Sequence, residues 1–262
     1  MTTNGIRFQD GSAYERYMGQ WSRLAGETFI GWLGAASGQR WLDVGCGNGA
    51  FTETLIERCA PASVEGVDPS PEQLVHARAR PALQAARFRE GDAMALPYPD
   101  AEFDIAVMPL VIFFVRDPAR SVAEMARVVR PGGMVTAYSW DLDGGGFPYE
   151  PLLAEVRELG IGMPAPPSPE ASRIDVQRDL WAGAGLDAIE TCVIDVKRTF
   201  ADFDEFWSIS AETPSVGSAL KKMDDEAIAR LKARVRARLP AGAAGPLTCS
   251  ARANAVKGRV PA

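Results

Sequence analysis

The stretch "WLDVGCGNGAF", residues 41–51, sets an apolar, strand-like run against three glycines at alternate positions, Gly45, Gly47 and Gly49, and carries one acid, Asp43. A strand that ends in glycines and passes directly into a helix leaves backbone amides at the helix N-terminus, with no side chain to block a ligand's approach. In an open α/β sheet such a crevice lies beyond the carboxyl ends of the strands, where the strand order reverses. The next apolar run, "SVEGVD", ends in Asp68, 19 residues after Gly49. An acid at that spacing can accept hydrogen bonds from two ribose hydroxyls, so the pair predicts a nucleoside ligand.

Working outward, β-rich runs at 40–45, 63–68, 86–90, 103–109 and 133–140 alternate with helical patterns at 49–58, 71–80 and 118–129. Strand followed by helix, repeated, predicts a parallel sheet covered on both faces. Pro71 after Ser70 and Pro118 after Asp117 mark two helix starts, because proline suits the first turn and the preceding side chain can cap it. "RPGG", 130–133, is expected to stop the third helix and turn the chain into the next strand.

The two ends differ from this unit. Residues 1–38 are expected to form a helical cap in which Tyr14, Met18 and Trp21 share one face. The Rossmann-like core is expected at 39–141, a lid or insertion rich in glycine and proline at 142–187, and a final unit at 188–262. In that unit "AIETCVIDVKRTF" (188–200) and "LTCSARANAVKG" (247–258) alternate apolar and polar residues, which predicts an antiparallel strand pair around a helical insertion at 201–240.

Composition narrows the function. With 28 Lys and Arg against 34 Asp and Glu, the net charge of −6 opposes nucleic acid or an anionic membrane as an obligate partner. No apolar run approaches the ~20 residues of a membrane span, and no basic and apolar leader is visible, so a cytoplasmic location is expected. Cys46, Cys59, Cys192 and Cys249 lack C-x-x-C spacing and His76 is the single histidine, so no metal site of the usual nitrogen and sulfur ligands can be composed.

Gly45-x-Gly47-x-x-Ala50 also satisfies the loose dinucleotide fingerprint. Two acids bear on the choice. Asp43, beneath the loop, disfavours a pyrophosphate and could attract an ammonium or sulfonium group. Asp92, after the third strand, could accept from an exocyclic adenine amine, with the Ala93 amide donating to a ring nitrogen. The order of "LDVGCGNG", "GVDPSPEQL", "GDAMALPYPDAEFDIAV" and "EMARVVRPGG" resembles the class I S-adenosylmethionine-dependent methyltransferases, in the small-molecule branch that includes ubiquinone-biosynthesis-type enzymes.

The resemblance implies a doubly wound, seven-stranded sheet, mostly parallel with one reversed strand, and helical lid insertions. It implies that Gly45, Gly47 and Gly49 face the methionine part of S-adenosylmethionine, Asp68 and Pro69 the ribose, Asp92 and Ala93 the adenine, and that Met108 lines the floor beside the sulfonium. Gln20 stands where one bacterial branch often has arginine, which leaves the cofactor carboxylate to Gln20 or Arg23. The product would be S-adenosylhomocysteine.

Methyl transfer needs alignment and exclusion of water more than a strong base. Phe113 and Phe114 stand where relatives often carry histidine, so a histidine base is not expected, and His76 is read as a surface residue. Tyr138, Asp141 and Glu212 are the candidate bases for a hydroxyl acceptor. Tyr14, Met18, Trp21, Phe113 and Trp140 are the candidates to contact a small, partly apolar acceptor. Three other readings stay open: an NAD-dependent oxidoreductase, a non-catalytic S-adenosylmethionine-binding protein, and a nucleic-acid methyltransferase using the basic 221–238 segment. Monomer and homodimer are equally compatible with the sequence.

Overall fold

The glycine run closes the first strand of a seven-stranded sheet in the computed structural model, which describes residues 15–161, 165–239 and 245–262. The strands are β1 (Arg40–Val44), β2 (Ser63–Asp68), β3 (Arg87–Glu90), β4 (Phe103–Pro109), β5 (Val129–Trp140), β6 (Asp187–Phe200) and β7 (Leu247–Arg259). Their order is β3-β2-β1-β4-β5-β7-β6, with β1 to β5 parallel and β7 antiparallel to both β5 and β6. This is the Rossmann-like doubly wound sheet with one reversed strand that the sequence led us to expect. The order reverses between β1 and β4, which places a crevice at the end of β1.

The helices are α1 (Gln20–Leu33), α2 (Ala50–Cys59), α3 (Pro71–Ala79), α4 (Pro118–Val128), α5 (Glu150–Glu158), α6 (Ile174–Gly183), α7 (Phe203–Ala211), α8 (Pro214–Leu220) and α9 (Asp225–Arg238). Ser70 and Asp117 cap α3 and α4 by accepting the Gln73 and Arg120 amides, each followed by the proline that fits a first turn. One face of the sheet packs Trp21, Phe29 and Leu55 from α1 and α2 together with α5, α7 and α9. The other packs Val122 and Met125 of α4 and Trp181 of α6. Each fully buried side chain of this size contributes roughly 1.5–3 kcal/mol.

"RPGG" behaves differently from expectation. α4 ends at Val128, and Val129 already pairs with Phe103 in β5. The next aligned pair is Ile105 with Met134, so residues 130–133 form a bulge inside β5 rather than the turn before it. The Gly132 amide donates to the Val260 carbonyl and the Val260 amide to that of Gly133, which holds the bulge against the end of β7.

β5 stops at Trp140, opposite Ala253, but β6 and β7 continue to pair as far as Phe200 and Leu247. They project beyond the carboxyl edge of the sheet and carry the inserted helices. Glu155 of α5, its side chain 4% exposed, accepts from both Arg234 and Arg238 of α9, which also pair with Glu158. No helix of the described residues is long and apolar enough to cross a membrane.

Candidate functional site

A cavity of about 1280 Å³ opens at the carboxyl ends of β1, β2 and β4. One wall is the glycine loop. Gly45 takes φ +77°, and a Cβ there would lie 2.6 Å from Cγ2 of Val111, so the β1 and β4 loops can approach only over a glycine. Gly47 takes φ +52° with nothing within 4 Å of a Cβ, because it faces the opening. Gly49 is not on the wall; it faces Leu83 and serves packing.

The loop amides are already committed. Gly45 and Cys46 both donate to the Val67 carbonyl, at 2.8 and 3.1 Å, and Gly47 donates to Oδ2 of Asp68 at 2.9 Å. The expectation of free amides is corrected for the loop itself: the chain folds back on β2 and satisfies the Gly45, Cys46 and Gly47 amides. Oδ1 of Asp68 accepts the Ser70 amide at 2.9 Å, so the carboxylate is held from both sides on the cavity wall. Burial raises its pKa, against the hydrogen bonds from Ser70 and Gly47 that lower it.

Asp92 and Ala93 share this wall with Pro69. Oδ1 of Asp92 accepts the Met94 amide at 2.9 Å, which fixes the carboxylate at the turn after β3. Because Asp68 pairs with Glu90 in the register of β2 and β3, Asp68 and Asp92 stand at neighbouring strand ends.

Asp43 lies beneath the loop and not on the wall. It is fully buried, its Oδ2 accepts from Thr52 Oγ1 at 2.6 Å, and its Oδ1 has no partner among the described residues. Burial pushes its carboxyl up to about 7, with the Thr52 bond pulling down and the Asp68 charge adding to the rise. Burial likewise pushes the Cys46 thiol well up, beside Asp43 and Asp68, so it is a neutral group and no nucleophile.

Of the candidate bases, Tyr138 alone reaches the cavity. It stacks on Phe29 and Phe51, with centroids 4.6 and 5.8 Å apart. Asp141 accepts the Gly144 amide at 3.1 Å outside it, and Glu212 is on the surface. Met108, Met18, Trp21, Phe113 and Trp140 are core residues behind the wall, and their places on it are taken by Leu110 and Val111, by Gly19, Gln20 and Ser22, and by Phe114. Tyr14 lies outside the described residues. The displacement at Met108 follows from the backbone: Leu110 turns to φ +59°, its amide bonded to the Tyr138 carbonyl at 2.7 Å, and carries the chain across the mouth.

Arg23 lines the cavity but pairs with Glu27 at 3.2 Å and Glu57 at 3.4 Å. Gln20 is exposed beside it, and His76 is exposed on α3. Phe51, Arg116 and 165–167 also line the opening. The sequence carries no signal for them beyond the position of Phe51, two residues after Gly49.

Residues 42–137 match the profile of the family described as "Methyltransferase domain". An uncharacterized protein of Mycobacterium tuberculosis is 31% identical over 179 residues, which cover 66% of this chain and 63% of that protein. Demethylmenaquinone methyltransferase of Deinococcus radiodurans is 38% identical over 115 residues, 43% of this chain and 46% of that enzyme. The chain thus spans less than two thirds of the length of these curated relatives. Among solved structures, Haemonchus contortus phosphoethanolamine N-methyltransferase 2, in complex with phosphomonomethylethanolamine and S-adenosylhomocysteine, shares the fold at 18% identity. Its TM-score is 0.59, over 96% of this chain and 57% of that one.

Proposed function

From a chain whose residues 42–137 form a class I S-adenosylmethionine-dependent methyltransferase domain, we infer that the protein transfers a methyl group to a small, partly apolar acceptor. The observation that carries the cofactor choice is the commitment of the Gly45, Cys46 and Gly47 amides to Val67 and Asp68. A pyrophosphate needs such amides free, whereas a nucleoside with no phosphate does not. The buried acid Asp43 favours the same choice, since it repels phosphate and attracts a cation.

The residues present fit that group. Each Asp68 oxygen holds one backbone amide and keeps lone pairs for ribose hydroxyls. Asp92 and Ala93 would meet the adenine, Pro69 would pack beside the ribose, and Gly45 and Gly47 would face the methionine portion. Asp43, being buried, would act on the amine through its charge rather than by contact. Bound there, S-adenosylmethionine supplies a methyl carbon already activated by its sulfonium.

The chain's own part is to align and to keep water out. Leu110, Val111, Phe51 and Phe114 give the cavity its apolar wall, and Tyr138, the candidate base among its lining residues, would take a proton from a hydroxyl acceptor. Helices α5, α7, α8 and α9, with α5 and α9 clamped by Glu155, would serve as the lid. The names of the relatives support an acceptor of small-molecule size, since one acts on a demethylmenaquinone.

Calorimetric titration with S-adenosylmethionine, and separately with NAD, tests this reading. Binding of the first that weakens about 10- to 100-fold in Asp68→Ala is expected, as removing hydrogen bonds to a buried ligand costs ~1–3 kcal/mol. Binding of NAD alone would mean that the loop serves an oxidoreductase.

A further inference from the structure

Along β6, burial alternates: Ile194, Val196, Arg198 and Phe200 face inward. Arg198 is 8% exposed, its guanidinium lies over the Phe200 ring at 4.5 Å from the centroid, and it makes no hydrogen bond or ion pair to any described residue. Its Nη1 is buried without a hydrogen-bond partner among the described residues. The Trp21 ring lies 6.3 Å from that of Phe200, with its indole N–H turned to the Tyr149 hydroxyl.

A buried cation with no counter-charge is strongly unfavourable, and folded chains keep one where something else meets it. Around it, Phe206 packs on Phe200 at 5.3 Å and on Tyr149 at 6.0 Å, the Tyr149 hydroxyl donates to the Tyr17 carbonyl, and the charges of Arg198 and Glu212 both act on that hydroxyl. Arg198 pairs with Cys249 in the register of β6 and β7, four residues past the position level with Trp140. At ~3.3 Å per residue it stands roughly 13 Å beyond the end of β5, toward the same edge of the sheet as the cavity. Gln20 and Ser22, on either side of Trp21, line the cavity itself.

We propose that Arg198 anchors a carboxylate on the methyl acceptor, whose apolar body lies against Phe200 and the neighbouring rings. A carboxylate fits better than a phosphate, because one negative charge cancels one guanidinium whereas a dianion would leave charge buried. The acceptor class is then an amphipathic acid. This rests on the methyltransferase reading above and names its substrate class.

The test is titration of the protein saturated with S-adenosylhomocysteine, using decanoate and 3-phenylpropionate, their amides, and phenyl phosphate. The acids are expected to bind about tenfold or more tighter than the amides and the phosphate. Arg198→Met should erase that preference and Arg198→Lys keep part of it, with S-adenosylhomocysteine affinity unchanged in both. The free Arg198→Met protein should melt no lower than the wild type, because an unmet charge has been removed. Equal affinity for acids and amides, preference for the phosphate, or a clear loss of stability in Arg198→Met would overturn the proposal, the last by showing that the charge is met within the chain. If S-adenosylhomocysteine itself fails to bind, the methyltransferase reading falls and takes this inference with it.

Discussion

The Gly47 amide donates to Asp68 Oδ2 at 2.9 Å, tying the tip of the glycine loop to the end of β2. One carboxylate thereby shapes the loop and presents itself to the cavity. Asp68→Asn is expected to keep part of the loop geometry yet lose ribose acceptance, weakening S-adenosylmethionine about tenfold, whereas Asp68→Ala should also lower the melting temperature. Calorimetry and thermal denaturation on the same samples separate the two effects.

Two glycines of the loop should fail for different reasons. Gly45→Ala places a Cβ 2.6 Å from Val111 Cγ2 at φ +77°, so a stability loss of ~2–4 kcal/mol by chemical denaturation is expected. Gly47→Ala meets no atom, so backbone strain of ~1–2 kcal/mol is the expected cost. Its larger effect should be on ligand affinity, since the new methyl group points into the cavity.

Asp43 should give the site a pH dependence. Its folded-state pKa lies above the ordinary 3.8, at about 7. The folded protein therefore holds a proton that the unfolded chain has released, and stability falls as pH rises from about 4 to about 7 and is level above. Asp43→Asn removes this slope, so its stability relative to wild type should rise between pH 5 and pH 8, by as much as ~2.5 kcal/mol. If the Asp43 charge attracts the cofactor's amine, affinity in the wild type should strengthen across pH 7 and stay flat in the variant. Denaturation and titration at both pH values decide it.

Glu155 is almost wholly buried between Arg234 and Arg238. Burial works against its charge, but hydrogen bonds from Arg238 and Arg234 outweigh it and hold its pKa below the ordinary value. Both arginines are nearly half exposed, so Glu155→Gln is expected to cost a modest ~1–2 kcal/mol. The loss should appear as faster amide exchange in α9 while β1 to β5 stay protected.

Much of this was legible in the sequence where the signal is local. Ser70-Pro71 and Asp117-Pro118 announce their helices because cap and first turn are satisfied within four residues. The period-2 alternation of 188–200 placed β6 because one of its faces is buried. The same alternation put Arg198 on that face, a signal that passes unread when only apolar residues are counted. The bulge at 130–133 could not be read locally, since it depends on the register of β4. Helical spacing grouped Met18 with Trp21 but cannot tell whether a face meets the core or a cavity, and here it meets the core. Leu110 displaced Met108 from the wall through a left-handed turn that is rare for leucine and has no sequence cue.

The central claim is the identity of the cofactor, and the most direct measurement is calorimetric titration of the wild-type protein with S-adenosylmethionine and with NAD under the same conditions. Saturable binding of S-adenosylmethionine, weakened by Asp68→Ala, with no heat from NAD is expected. Binding of NAD without S-adenosylmethionine, or of neither, would contradict the assignment of the glycine loop, Asp68 and Asp92 to this cofactor.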